Sequence, residues 1–206
     1  MNEKSGSKPS TDEKLKILYD HYKDSFANAK EFLDRRDRIF YVLLVVLGLT
    51  VIQITLPTET INIASEILSN YVGVQVAVGT ELANSVLWFA LLSLLVRYYQ
   101  SVVYIQRIYP YIHKLEENLS SLLGQKDIIS REGKYYLKNY PLFSKWSWQL
   151  YTIFLPALVV ALTGWKVISD YNLSNVISIG LIINCIIFLA IVVSTSLYLL
   201  MLHFEK

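Results

Sequence analysis

Residues 35–56 read RRDRIFYVLLVVLGLTVIQITL, a cluster of charges followed by an apolar run that ends before Pro57. A helix needs about 20 predominantly apolar residues to cross a hydrocarbon core of roughly 30 Å. The run 39–56 approaches that length without a single charge. It is therefore predicted to span a membrane. The 38 mostly polar residues before it argue against a signal peptide.

Three further apolar runs follow, over residues 83–106, 147–169 and 175–203. The whole chain of 206 residues is 53% hydrophobic and only 17% charged, whereas about 25% of the residues in a soluble domain are charged. This balance excludes a disordered chain and argues strongly against a soluble enzyme. The predicted fold class is all-α: a polytopic membrane protein with four transmembrane helices and a cytoplasmic helical extension.

Basic residues are distributed unevenly among the segments outside these runs. Residues 1–38 hold nine of them, the connection 57–82 holds none, and residues 107–146 hold seven. Loops on the cytoplasmic side carry the excess of Lys and Arg. The pattern predicts that both termini are cytoplasmic and that 57–82 is extracytoplasmic. Within 57–82, an amphipathic helical pattern gives way to strand-like alternation. This connection either packs on neighbouring helix ends or extends the first and second helices.

Two segments outside the membrane have helical periodicity. After a polar tail over 1–11, interpreted as disordered, residues 12–38 repeat apolar side chains every three or four positions. The second span's pattern continues through 107–146 as far as Gly124, a residue typical of a helix C-cap. Two such apolar stripes should not stay exposed to water. We therefore expect the two segments to form an antiparallel helical pair, unless the stripes lie on lipid headgroups. The stripes provide the candidate partner-binding residues, which are Leu15, Leu18, Tyr22, Phe26, Leu33, Ile112, Leu115 and Leu119.

Polar residues inside the spans are candidates for lining a pore or transmitting a signal. They are Ser93, Arg97, Gln100 and Tyr104 on one face of the second span, and Asn184 and Thr195 on the fourth. An intramembrane charge commonly faces a bundle interior or water, although Arg97 is near enough to the cytoplasmic boundary to extend to the headgroups. The polar residues of the fourth span suit helix packing as well as a pore. No Asp or Glu falls within the predicted spans, which argues against a proton-coupled transporter.

Signatures of catalysis are absent from the sequence. It contains no phosphate-binding glycine loop, serine elbow or His–Glu metal pair, and Cys185 is its only cysteine. A net charge of +2 gives no indication of a nucleic-acid partner. We therefore expect no enzymatic activity, no cofactor, no metal and no nucleic acid.

The segments 18–24 (LYDHYKD) and 35–40 (RRDRIF), with the plan of charged helix and spans, resemble small multi-span effectors or sensors of bacterial antiphage defence systems. The resemblance implies an oligomeric, multi-pass protein of the bacterial inner membrane. It also implies action by permeabilising that membrane or by signalling to a soluble cytoplasmic partner. Two alternatives stay open: a membrane anchor or scaffold that recruits a soluble partner, and a small channel or transporter.

Overall fold

The computed structural model describes residues 10–56, 66, 80–124, 142–173 and 178–204. Its helices are α1 (Thr11–Thr55), α2 (Thr80–Leu122), α3 (Leu142–Gln149), α4 (Leu155–Leu173) and α5 (Ile179–Phe204), and a short π-helical segment (Leu150–Phe154) joins α3 to α4. Within the described ranges, four helical stretches are long and apolar enough to cross a membrane: Thr11–Thr55, Asn84–Leu122, Lys145–Asn172 and Ile179–Leu202. The predicted all-α fold with four spanning helices is confirmed.

Several predictions concern residues outside the described ranges. The disordered tail falls almost entirely on residues 1–9, and the pattern of the 57–82 connection falls mainly on residues 57–65 and 67–79. Residues 125–141 of the second extramembrane segment also lie outside.

The ends of the extramembrane helical segments carry the local signals that the sequence indicates. At the start of α1, the Glu13 N–H donates to Ser10 Oγ (3.2 Å), and the Ser10 N–H donates to Glu13 Oε2 (3.3 Å). This is a reciprocal capping box. At the end of α2, Gly124 has φ +70°, a left-handed conformation that a glycine adopts without steric cost.

The chain divides into two compact units, and α1 and α2 contribute residues to both. The two-helix unit comprises Met1–Arg35 and Ser101–Ser144, and the four-helix unit comprises Arg36–Gln100 and Lys145–Lys206. In the two-helix unit, α1 and α2 run antiparallel. Leu15 and Leu119 line one cavity, while further along α1 the Phe32 ring stacks on Tyr104 with 3.7 Å between centroids. The predicted antiparallel pair is confirmed.

Within the four-helix unit, each helix buries a narrow face. The buried side chains include Leu43, Leu47 and Thr50 of α1, Trp88, Leu91 and Leu95 of α2, Val159 and Thr163 of α4, and Leu181, Ile191 and Tyr198 of α5. Large apolar side chains also point outward, among them Val45, Phe89 and Leu189, each more than 60% exposed. Such an outer surface suits lipid and not water.

A π-helical turn connects α3 to α4 just before Pro156. In this turn the Leu155 N–H donates to the Leu150 carbonyl, five residues back. The next bond in that register would run from Pro156 to the Tyr151 carbonyl, but proline has no N–H. The hydroxyl of Tyr98 on α2 donates to that carbonyl instead (3.3 Å). The backbone irregularity is therefore satisfied by a neighbouring span, as apolar surroundings require.

Candidate functional site

A buried polar region of the four-helix unit is built around an ion pair on α4. Lys166 and Asp170 are one helical turn apart, and the Lys166 ammonium donates to Asp170 Oδ1. Their side chains are only 5% and 15% exposed. Neighbours four apart on a helix lie on the same face, so both charges point toward the adjacent helices.

Two amides from other helices complete this site. Nδ2 of Asn84, on α2, donates to Asp170 Oδ2 at 3.0 Å, and Nδ2 of Asn184, on α5, donates to the same oxygen at 3.5 Å. Asp170 thus accepts hydrogen bonds from three helices. We call Asn84, Lys166, Asp170 and Asn184 the polar network.

The polar network is tightly enclosed but not fully satisfied. The side-chain carbonyl oxygens of Asn84 and Asn184 are buried and accept no hydrogen bond from the described part of the chain. An unsatisfied buried acceptor costs roughly 1–3 kcal/mol. The network therefore holds α2, α4 and α5 together while leaving acceptors that water would satisfy.

Helix α1 joins the same unit through a less complete polar contact. Gln53 of α1 and Trp88 of α2 line one crevice, which has no room for a water molecule. Gln53 Oε1 and Trp88 Nε1 are both buried without a hydrogen-bond partner among the described residues. These two atoms therefore form no hydrogen bond between α1 and α2.

The network includes a carboxylate that the sequence analysis placed outside the spans. Asp170 lies one residue beyond the predicted end of the third span at residue 169, and α4 continues past it to Leu173. The spacing of Lys166 and Asp170, one helical turn apart, is the feature of the sequence that indicates this ion pair.

Both polar residues predicted on the fourth span are buried against neighbouring helices. Asn184 belongs to the polar network, and the Thr195 hydroxyl lies 3.0 Å from the Tyr99 hydroxyl of α2 in a hydrogen bond. The Tyr99 ring also stacks on Tyr198 of α5, with centroids 4.0 Å apart. These contacts correspond to the helix-packing role.

The residues of the predicted polar face of α2 do not meet in the interior of the protein. Ser93, Arg97 and Gln100 are exposed, and Tyr104 is half-buried against Phe32 in the two-helix unit.

The depth of Arg97 follows from its neighbour. Tyr98 packs near Phe40 (6.3 Å between ring centroids) and lines a cavity with Arg36. Arg97 therefore lies close to the level at which the charged part of α1 gives way to its apolar run.

The candidate partner-binding residues lie mainly in the interface between the two helices of the two-helix unit. Those of α2 are buried, namely Ile112, Leu115 and Leu119. Those of α1 are half-buried, namely Leu15, Leu18, Tyr22, Phe26 and Leu33. The Tyr22 hydroxyl donates to Glu116 Oε1 at 3.2 Å. The two-helix unit thus buries the predicted residues of α2 and partly buries those of α1.

Fold and site together define an all-helical multi-pass membrane protein with an ion pair buried among three of its candidate spans. No protein-family model, no curated protein and no solved structure matches the chain. Within the described ranges, no group of three or more His, Cys, Asp or Glu side chains is placed to bind a metal ion.

Proposed function

We propose that the protein is a non-enzymatic effector or sensor subunit of a bacterial antiviral defence system, resident in the inner membrane, and that it acts when a signal rearranges its membrane helices. The observation that carries the proposal is the polar network between α2, α4 and α5. Ionisable residues buried within spans are costly, and functional sites commonly retain them.

The polar network suits a protein whose helices are packed together at rest and part when a signal arrives. Separating charged groups in a low-dielectric interior is unfavourable unless water replaces the lost partner. When the helices part, Lys166, Asp170 and the two amides become the polar lining of a hydrated path. The two amide oxygens that lack donors in the closed state then gain water as a donor.

Helices α1 and α2 supply a route for the signal. Residues of each of these helices belong to both units. In the proposed orientation, with both termini cytoplasmic, the two-helix unit receives the signal. Movement of α1 is favoured because Gln53 Oε1 has no hydrogen-bond partner among the described residues, and movement of α2 changes the position of Asn84 directly.

The antiviral role is supported by the resemblance carried by segments 18–24 and 35–40. A homo-oligomer is part of the proposal, because a single four-helix unit has few polar side chains with which to surround a pore. A soluble cytoplasmic partner completes it as the source or the receiver of the signal.

A variant that opens without a trigger tests this function. Asp170→Asn removes the counter-charge of the buried Lys166 ammonium, so we expect cells that produce this variant to lose membrane potential, measured with a potential-sensitive dye. The double variant Lys166→Met/Asp170→Asn removes both charges and should restore the potential. Glu31→Gln is the matched control, because it breaks an exposed ion pair of α1.

Phage challenge tests the biological role. Cells that produce the wild-type chain with its neighbouring genes should give fewer plaques than cells that produce the double variant. If Asp170→Asn is folded and inserted at wild-type levels but leaves the potential unchanged, the network does not control permeability. Equal plaque counts would contradict the defence role alone.

A second function, a membrane anchor for a soluble partner, is favoured by the surface of the two-helix unit. A mainly apolar cavity of about 260 Å³ lies beside Leu15, Tyr19, Leu119 and Leu123, and Tyr19 and Leu123 are 52% and 41% exposed. Tyr19→Asp should abolish co-purification of such a partner without changing membrane insertion. Unchanged co-purification would contradict the anchor.

A further inference from the structure

A polar cavity lies in the four-helix unit, apart from the polar network. It has a volume of about 220 Å³ and is lined by Arg36, Asp37, Phe40, Tyr41, Tyr98 and Tyr151. This space equals roughly seven water molecules at about 30 Å³ each. The proposed function does not use it.

Charge of both signs is available at this cavity. Nε and Nη2 of Arg36 both donate to Asp37 Oδ1, at 2.9 and 2.7 Å. Within the described ranges, Asp37 Oδ2 and Arg36 Nη1 make no hydrogen bond with protein atoms. The two side chains are 55% and 33% exposed. One free carboxylate oxygen and one free guanidinium N–H group therefore stand side by side.

Aromatic rings form the remaining walls. Phe40 meets Tyr151 edge to face with 5.1 Å between centroids, and Tyr98 closes the inner side. Tyr41 is 66% exposed at the rim. Aromatic faces attract ammonium groups, so these walls favour the same cationic group that Asp37 would bind.

The cavity lies where the charged cluster of α1 gives way to its apolar run. Arg36 and Asp37 belong to the charged cluster that ends at Arg38, and Phe40 and Tyr41 begin the apolar run of α1. Tyrosine is enriched at this boundary in membrane proteins.

We propose that this cavity binds the headgroup of a zwitterionic phospholipid with a primary ammonium, that is, a phosphatidylethanolamine. The ammonium donates to Asp37 Oδ2 and lies against the tyrosine rings. The phosphate accepts from the free edge of Arg36, and the acyl chains follow the exposed apolar surface of α1. An anionic lipid would engage Arg36 only and would meet the Asp37 carboxylate with like charge.

Native mass spectrometry of the purified full chain in detergent tests this site. We add phosphatidylethanolamine or phosphatidylglycerol at equal concentration and measure the occupied fraction. A charge-assisted hydrogen bond contributes enough for about a tenfold preference. We expect phosphatidylethanolamine to bind about tenfold more tightly than phosphatidylglycerol.

Asp37→Asn should abolish the preference, and Tyr41→Leu should weaken binding of phosphatidylethanolamine. The control Asp34→Asn makes the same chemical change one turn earlier on α1, outside the cavity, and should leave the preference intact. Equal binding of the two lipids to the wild-type chain would overturn the proposal. So would equal effects of Asp37→Asn and Asp34→Asn.

Free phosphoethanolamine distinguishes a membrane lipid from a soluble ligand. Because the acyl chains contribute apolar contact, the soluble headgroup should not displace the lipid at equal concentration. Displacement under these conditions would contradict a lipid site.

Discussion

Removing the Asp170 carboxylate should destabilise the protein far more than removing an exposed charge. Lys166 is 5% exposed, and its ammonium has Asp170 as its acceptor. In Asp170→Asn this ammonium stays buried without a counter-charge. Breaking a buried ion pair by removing one partner costs about 3–5 kcal/mol.

The structure also predicts an asymmetry between the two single variants. In Lys166→Met the carboxylate of Asp170 keeps the amide donors of Asn84 and Asn184. A hydrogen bond to a charged group contributes about 1.5–3 kcal/mol. We therefore expect Lys166→Met to cost less than Asp170→Asn, and the double variant to cost less than either one.

Unfolding in mixed micelles with increasing denaturing detergent measures these free energies. Tryptophan fluorescence reports the transition, because the chain has four tryptophans. Glu31→Gln, at an exposed pair, should cost less than about 1 kcal/mol. If Asp170→Asn costs no more than Glu31→Gln, or if the double variant is the least stable, then the network does not hold the helices together.

Three other predictions use the same unfolding assay. Tyr98→Phe should lower the free energy of unfolding by about 1–3 kcal/mol, because it leaves the Tyr151 carbonyl without its donor. The loss should be smaller in a Pro156→Ala background, where residue 156 regains an N–H. An equal loss in both backgrounds would contradict this role of Tyr98. Leu119→Ala should cost about 2–5 kcal/mol, since Leu119 is fully buried in the two-helix unit, and a loss below 1 kcal/mol would mean that this interface contributes little. Arg97→Gln should change stability by less than about 1 kcal/mol because its side chain is exposed; a larger loss would place Arg97 in a buried contact.

The spanning helices could be predicted because long apolar runs are a strong signal along the chain. The antiparallel pair also followed from the sequence, since two amphipathic stripes that leave the same bundle have few ways to avoid water. The cap at Gly124 follows from a local rule for glycine.

The polar network could not be predicted in the same way. Asp170 follows Lys166 by one turn, and in the sequence that pair cannot be distinguished from a helix end that enters water. Its burial depends on Asn84 and Asn184, which come from distant parts of the chain. Sequence periodicity carries no information about such contacts.

The direction in which the polar face of α2 points could not be predicted from the sequence, for another reason. In a soluble protein, the exposed side of a helix is polar and the buried side apolar. In a bilayer both sides are apolar, so the stripe of Ser93, Arg97 and Gln100 could face either way. Contacts of the adjacent Tyr98 with Phe40 of α1 and with the Tyr151 carbonyl fix the direction in which this stripe points.

The π-helical turn depends on a side chain from another helix as well. Pro156 alone predicts a broken hydrogen bond but does not indicate how the free carbonyl is satisfied. The Tyr98 hydroxyl supplies the missing donor.

The most direct test of the central claim is the membrane potential of cells that produce the wild-type chain, Asp170→Asn, or Lys166→Met/Asp170→Asn at matched levels in the membrane. If the polar network holds the spans in a closed arrangement, Asp170→Asn alone depolarises the cells, and the double variant and the wild-type chain do not. Wild-type potential in all three strains, with each protein folded and inserted, would contradict the claim.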